Sequence, residues 1–133
     1  MYKLTFCLRR RPDLSREEFQ SYWLGTHAGL VADRAGPLRI RRYAQLHTED
    51  LPGLHAAMQR RNGGSPEPFD GIAEIWVDSV DDLAADDPAL RAAGQDLIED
   101  ERNFIDLANS PMFVSREHVI VDHLTDRADA EEG

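Results

Sequence analysis

Residues 2–31 read YKLTFCLRRRPDLSREEFQSYWLGTHAGLV, and they hold two periodicities separated by a stop signal. From residue 2 to residue 10 the period is two. Tyr2, Leu4, Phe6 and Leu8 share one face and Lys3, Thr5, Cys7 and Arg9 the other, which predicts a strand with one buried face. Pro12-Asp13 ends it. Ser15 followed by Glu18 is a capping box, and Glu17 adds negative charge near the helix start. From there the apolar positions keep to one helix face: Phe19, Tyr22, Trp23, His27, Leu30 and Val31. The spacing predicts a helix to about Arg34, stopped near Gly36-Pro37.

His27 is the anomaly on that stripe. A second helical segment carries a similar one, in the series Leu90, Leu97, Ile98, Glu101, Phe104, Ile105 and Ala108. An ionisable group among apolar neighbours loses its water and needs a partner. His27 and Glu101 are therefore either core residues with structural partners or two polar groups lining one cavity.

Working outward, Leu38 to His47 alternates again. Leu38, Ile40, Ala44 and Leu46 share one face, with Arg42 as an exception, and Arg39, Arg41, Tyr43, Gln45 and His47 share the other. Residues 48–69 are less regular. They predict a short helix around Leu54 to Arg60, then a loop through Asn62-Gly63-Gly64-Ser65-Pro66, a candidate lid. Gly71 to Asp78 predicts a third strand. Ser79 with Asp82 is another cap signal, and Pro88 suits the first position of a helix reaching about Ala108. Phe113 to His123 predicts the last strand.

The order strand, helix, strand, strand, helix, strand predicts an α+β chain: a four-stranded antiparallel sheet with helices on one face. A single domain covers 1–125, and the acidic, alanine-rich run 126–133 reads as a disordered tail. The other sheet face is not polar. Cys7 lies opposite Leu8, Tyr43 opposite Ala44 and Trp76 opposite Ile75, so a second copy of the sheet is expected to cover it in a homodimer.

Composition narrows the partners. A formal net charge of -10 opposes binding to nucleic acid and to anionic membranes. No apolar run approaches the roughly 20 residues that span a bilayer, and Met1 to Phe6 lacks the form of a signal peptide, so a cytoplasmic protein is expected. Cys7 is the only cysteine, which excludes an internal disulfide. Arg9-Arg10-Arg11 reads as a solvated or ion-paired strand end, with an anion clamp as the alternative.

His27, His47, Glu74 and Glu101 are the candidate acid–base residues. Imidazole titrates near neutrality, and a carboxylate inside a strand or on an apolar stripe is paired or has a raised pKa. For Glu74 the structural alternative is an ion pair with Arg41 or Arg42. For Glu101 it is a salt bridge to an arginine; the functional one is the carboxylate that sets the imidazole tautomer. Tyr43, a candidate substrate-binding residue, either donates a hydrogen bond to an enolate or phenolate or packs as an interface tyrosine; Trp23, Trp76, Phe104 and Phe6 supply walls suited to an aromatic substrate, or simply core packing. Asp70, before Gly71, suits a turn. No helix carries a His-x-x-x-His or Glu-x-x-His pair, and His118 and His123 fall on opposite strand faces, so no metal is expected. There is no phosphate loop in a strand–helix context and no nucleophile elbow, so no nucleotide cofactor and no serine hydrolysis are expected.

The fragments Phe19-x-x-Tyr22-Trp23-x-x-x-His27-Ala28-x-Leu30-Val31, Arg42-Tyr43-x-Gln45-x-His47, Phe69-Asp70-Gly71-x-Ala73-Glu74-x-Trp76, Asp100-Glu101-x-x-Phe104-Ile105-Asp106 and Ser110-x-x-Phe113-x-x-x-Glu117 together resemble the EthD family, in order and spacing, over about residues 2–122. Residues 48–69 match no motif of that family. The resemblance implies a dimeric α+β barrel of ferredoxin-like protomers, a fold shared with muconolactone isomerase, polyketide cyclases and cofactor-free monooxygenases. It predicts fold better than reaction. The expected function is a cofactor-independent enzyme acting by acid–base chemistry on an aromatic or polyketide-like substrate, as a decarboxylase, dehydratase, cyclase or isomerase. The rival is a non-catalytic barrel that carries a hydrophobic metabolite for a partner oxygenase.

Overall fold

The capping box forms as the sequence requires. Ser15 Oγ accepts from the Glu18 backbone N–H at 3.0 Å, and Glu18 Oε1 accepts from the Ser15 N–H at 3.0 Å. It starts the first helix of a computed structural model that describes residues 1–124; the tail expected over 126–133 lies outside the described residues. The elements run β1 (Tyr2–Leu8), α1 (Arg16–Tyr22), a π-helical turn (Trp23–His27), α2 (Ala28–Asp33), β2 (Arg42–His47), α3 (Pro52–Arg61), β3 (Gly71–Val77), a 3-10 turn (Val80–Leu83), α4 (Pro88–Glu101), a 3-10 turn (Leu107–Asn109) and β4 (Met112–Ser115). Among the described residues, no helix is long and apolar enough to cross a membrane.

The sheet order is β2-β3-β1-β4, with every neighbouring pair antiparallel. This is the expected ferredoxin-like βαββαβ arrangement, with α1–α2 and α4 as its two crossovers. Residues paired across strands share a face. Phe6 opposite Ala73 and Leu8 opposite Gly71 therefore mark the face that the helices cover. Phe19 and Trp23 from the first helical segment and Phe104 and Ile105 from beyond α4 close the core on Phe6, Leu8 and Ala73. Trp23 lies so flat on β3 that a Cβ at Gly71 would sit 2.3 Å from its ring, which is why glycine opens that strand.

A buried carboxylate ties the strand ends to α1. Asp70 accepts from the Arg10 backbone N–H and guanidinium, both at 2.8 Å, and from Arg16 Nε at 3.1 Å. Burial opposes its ionisation, but these bonds win and hold the carboxyl below its ordinary pKa. Arg10 is thus an ion-paired strand end, and Asp70 is more than a turn residue.

Four expectations need correction. The last helix stops at Glu101 rather than Ala108: the Phe104 and Ile105 N–H groups turn back onto the Glu101 carbonyl, Phe104 drops into the core, and Ile105 bridges to Arg10. The last strand covers Met112–Ser115 instead of 113–123. Its pairing with β1 ends at Lys3 opposite Ser115, and Arg116 stacks on the Tyr2 ring. The second strand starts at Arg42 because residues 38–40 donate their backbone N–H groups to the carbonyls of residues 34–36, just after α2, with Arg39 at a φ of 58°. Glu74 pairs with Lys3 at 3.2 Å rather than with Arg41 or Arg42. Lys3 and Arg42 both lie over the Trp76 ring at 4.7 Å, and Arg41 reaches Asp78 instead.

Candidate functional site

The π turn aims His27. Ala28 donates its backbone N–H to the Trp23 carbonyl, five residues back, so the helix makes one wide turn between Trp23 and His27. Both side chains are buried, and the imidazole meets the end of α4. There His27 Nδ1 lies 2.7 Å from Asp100 Oδ2. The other carboxylate oxygen, Oδ1, accepts from the Tyr22 hydroxyl at 2.5 Å and from Asn103 Nδ2 at 3.2 Å. Burial works against charge on Asp100, yet the hydrogens from Tyr22, His27 and Asn103 hold its pKa below the ordinary value. Asp100 is therefore the acceptor, and His27 carries its proton on Nδ1.

That fixes the other nitrogen. His27 Nε2 faces Glu101 Oε2 at 3.9 Å. Burial lowers the imidazole pKa more than Asp100 raises it, so the neutral ring presents a lone pair there. Glu101 is pushed the other way. Burial first and the neighbouring Asp100 charge second raise its pKa to about 7. At neutral pH the pair holds a neutral imidazole base beside a carboxyl group that both keeps and releases its proton. Phe104 forms a wall, its ring centroid 5.0 Å from that of His27.

β2 supplies the sheet side. Tyr43, Gln45 and His47 alternate onto the helix-facing surface, opposite Ile75, Ala73 and Gly71. His47 stacks on Trp23 with ring centroids 4.5 Å apart. Gln45 Nε2 donates to the Trp23 carbonyl at 3.1 Å and to the Tyr43 hydroxyl at 2.7 Å. Burial raises the Tyr43 pKa, and the Glu101 charge pushes it in the same direction.

Of the residues expected from sequence, His27, Glu101, Trp23, Tyr43 and Phe104 come together, with Phe6 beneath them in the same core. His47 joins through Trp23 but opens on a separate groove of about 630 Å³ lined also by Arg16, Gln20, Leu24 and Thr48. Glu74 and Trp76 do not join them; they lie on the opposite sheet face with Lys3 and Arg42. Neither this groove nor the one beside Arg9 and Phe69 is lined by His27 or Glu101. Among the described residues, no group of three or more His, Cys, Asp and Glu side chains is arranged to hold a metal ion. Of the two readings the sequence offers for Glu101, a salt bridge to an arginine or the carboxylate that sets the imidazole tautomer, the second role falls to Asp100. Asp100 falls just off the apolar stripe at the helix end, where it reads as an ordinary surface acid. Gln45 was also not among the candidate site residues; its signals were its place between Tyr43 and His47 on one strand face and in the fragment Arg42-Tyr43-x-Gln45-x-His47.

A family model described as the EthD domain matches residues 11–108. The chain belongs to the EthD family. Solved structures agree on the fold. An EthD family protein from Bacillus halodurans is 18% identical with a TM-score of 0.56, over 89% of this chain and 99% of its own. An EthD-like protein from Ralstonia eutropha is 17% identical with a TM-score of 0.58, over 91% and 95%. A dimeric protein of unknown function and ferredoxin-like fold from Bacteroides fragilis is 17% identical with a TM-score of 0.54, over 87% and 95%. No curated protein sequence matches. The EthD match spans α1 through α4, and so includes His27, Tyr43, Asp100 and Glu101.

The raised pKa of Glu101 has a sign in stability. Its ordinary value is 4.5 and its folded value about 7, so the folded chain binds more protons between them. Stability from this group is present below about pH 4.5 and is lost as pH rises through 7. Glu101→Gln removes the titration. Its melting temperature is expected to match that of the wild type near pH 4 and to exceed it by pH 8, a gap worth about 3 kcal/mol. Parallel melting curves across that range would show that Glu101 ionises normally.

Proposed function

We propose that this EthD domain is a cofactor-independent enzyme that moves a proton to or from an aromatic or polyketide-like substrate. The carrying observation is the line Asp100–His27–Glu101: a carboxylate on Nδ1, a lone pair on Nε2, and a carboxyl group with a pKa of about 7 beyond it. His27 takes a proton from carbon or oxygen, Asp100 stabilises the imidazolium, and Glu101 returns a proton to the product. Decarboxylation, dehydration, cyclisation and isomerisation all pass through an enolate or carbanion, so this pair serves any of them. Trp23, Tyr43 and Phe104 supply the aromatic wall. Substrate reaches Nε2 by displacing the Glu101 side chain, which is partly exposed. Glu74 and Trp76 lie outside this mechanism.

Proton abstraction is measurable without knowing the product. Aryl 1,3-diketones in D2O are expected to exchange their acidic C–H in the presence of the wild type. His27→Gln should lower that catalysed rate by about 10² to 10⁴ while the chain stays folded by circular dichroism. Saturable binding with no catalysed exchange across such a series would favour the metabolite-carrier reading.

We further propose that two copies pair through their open sheet faces. That face carries Lys3, Glu74, Trp76 and Arg42 in a polar–aromatic band, flanked by Leu46 at 44% and Phe113 at 51% exposure. The Bacteroides fragilis structure is described as dimeric. Sedimentation at micromolar concentration is expected to give twice the chain mass, and Trp76→Asp to give the monomer. A wild-type monomer under those conditions contradicts the pairing.

A further inference from the structure

Gln45 makes more bonds than a strand residue needs, and their directions are forced. The Trp23 carbonyl can only accept, and it already holds the N–H of Ala28 across the π turn. Gln45 must therefore turn its nitrogen to Trp23, 3.1 Å away. The same nitrogen lies 2.7 Å from the Tyr43 hydroxyl oxygen, so that oxygen accepts. The remaining amide oxygen lies 2.7 Å from His47 Nε2, which therefore carries a hydrogen. No other assignment satisfies all three contacts. It leaves the Tyr43 proton turned away from Gln45, and among the described residues no acceptor takes it. Nor is Gln45 free to rotate, since reversing the amide would set its oxygen against the Trp23 carbonyl.

From this geometry we infer that Gln45 is a positioning residue that presents the Tyr43 hydroxyl proton to a substrate oxyanion, an enolate or a phenolate. A half-buried O–H with no internal acceptor is a preorganised donor for charge that develops on a substrate oxygen. The Gln45 amide steadies the phenol oxygen, and burial together with the nearby Glu101 charge discourages loss of its proton, so Tyr43 stays a donor. The same amide fixes His47 as the Nε2–H tautomer, leaving Nδ1 as the bare nitrogen of the ring that faces the neighbouring groove. The inference deepens the acid–base reading and rests on it for the substrate, but its geometry stands apart from His27.

The test uses p-nitrophenolate as the oxyanion probe, with affinity followed by its absorbance. Wild type is expected to bind it. Tyr43→Phe should weaken binding about tenfold or more, the usual size of a hydrogen bond to a charged group. Gln45→Leu should weaken it similarly, and the double variant should lose no more than either single one. Nitrogen NMR of the wild type should place the His47 proton on Nε2, and Gln45→Leu should release that preference. Additive losses, unchanged affinity in Tyr43→Phe, no binding by the wild type, or a neutral His47 protonated on Nδ1 would each overturn the inference. If Gln45→Leu does not fold, Tyr43→Phe and the wild-type His47 tautomer still decide. Coupled losses in nitrophenolate binding without diketone exchange would sink the acid–base reading alone. Exchange that survives Tyr43→Phe together with unchanged nitrophenolate affinity would sink this inference alone.

Discussion

A histidine on the apolar face of a helix has to be given a partner, and much of this chain is arranged around that demand at His27. An imidazole buried among Trp23, Phe104 and the sheet loses its water, and an unmet ring nitrogen there costs about 1–3 kcal/mol. Asp100 meets one nitrogen at 2.7 Å. To do so it must itself stay ionised in a partly buried place, and Tyr22 and Asn103 make that possible. The chain of dependence runs from α1 through the π turn to the end of α4. It joins the two crossovers by polar contacts where packing alone would have left them merely adjacent.

The second carboxylate is what the proposed acid–base chemistry adds to this structural couple. Glu101 follows Asp100 directly; burial first and the Asp100 charge second make Glu101 hard to ionise, while the hydrogens from Tyr22, His27 and Asn103 overcome burial and keep Asp100 ionised. Two neighbouring acids with opposed pKa directions flank one imidazole. That separation is what acid–base catalysis requires of a pair of carboxyl groups. The sheet divides its labour in the same spirit: Tyr43, Gln45 and His47 face the helices, while Lys3, Glu74, Trp76 and Arg42 face outward.

Most of the fold was legible in the sequence, because period-two and period-3.6 patterns, a capping box and two N-terminal helix signals leave few alternatives. His27 and Glu101 were legible as polar residues on apolar stripes. What was not legible depended on register. The run to His123 reads as strand, yet its pairing with β1 stops at Ser115, opposite Lys3. Glu74 reads as a site carboxylate until the pairing of Lys3 with Trp76 puts Lys3 on its own face. Asp100 stands in one of the family-like fragments, but no local pattern pairs it with His27 until the π turn brings the imidazole onto it. A local pattern gives a face; which long-range neighbour waits there is set by topology.

The central claim is that His27 is neutral at pH 7, with its proton held on Nδ1 by Asp100 and a lone pair on Nε2 towards Glu101. Nitrogen-15 NMR of the histidine-labelled protein, titrated with pH, reads both ring nitrogens directly. The account predicts a pyrrole-type Nδ1 and a pyridine-type Nε2 at pH 7, with protonation of the ring only below its ordinary value of 6.5. A doubly protonated His27 at pH 7, or a neutral ring with its proton on Nε2, would contradict it.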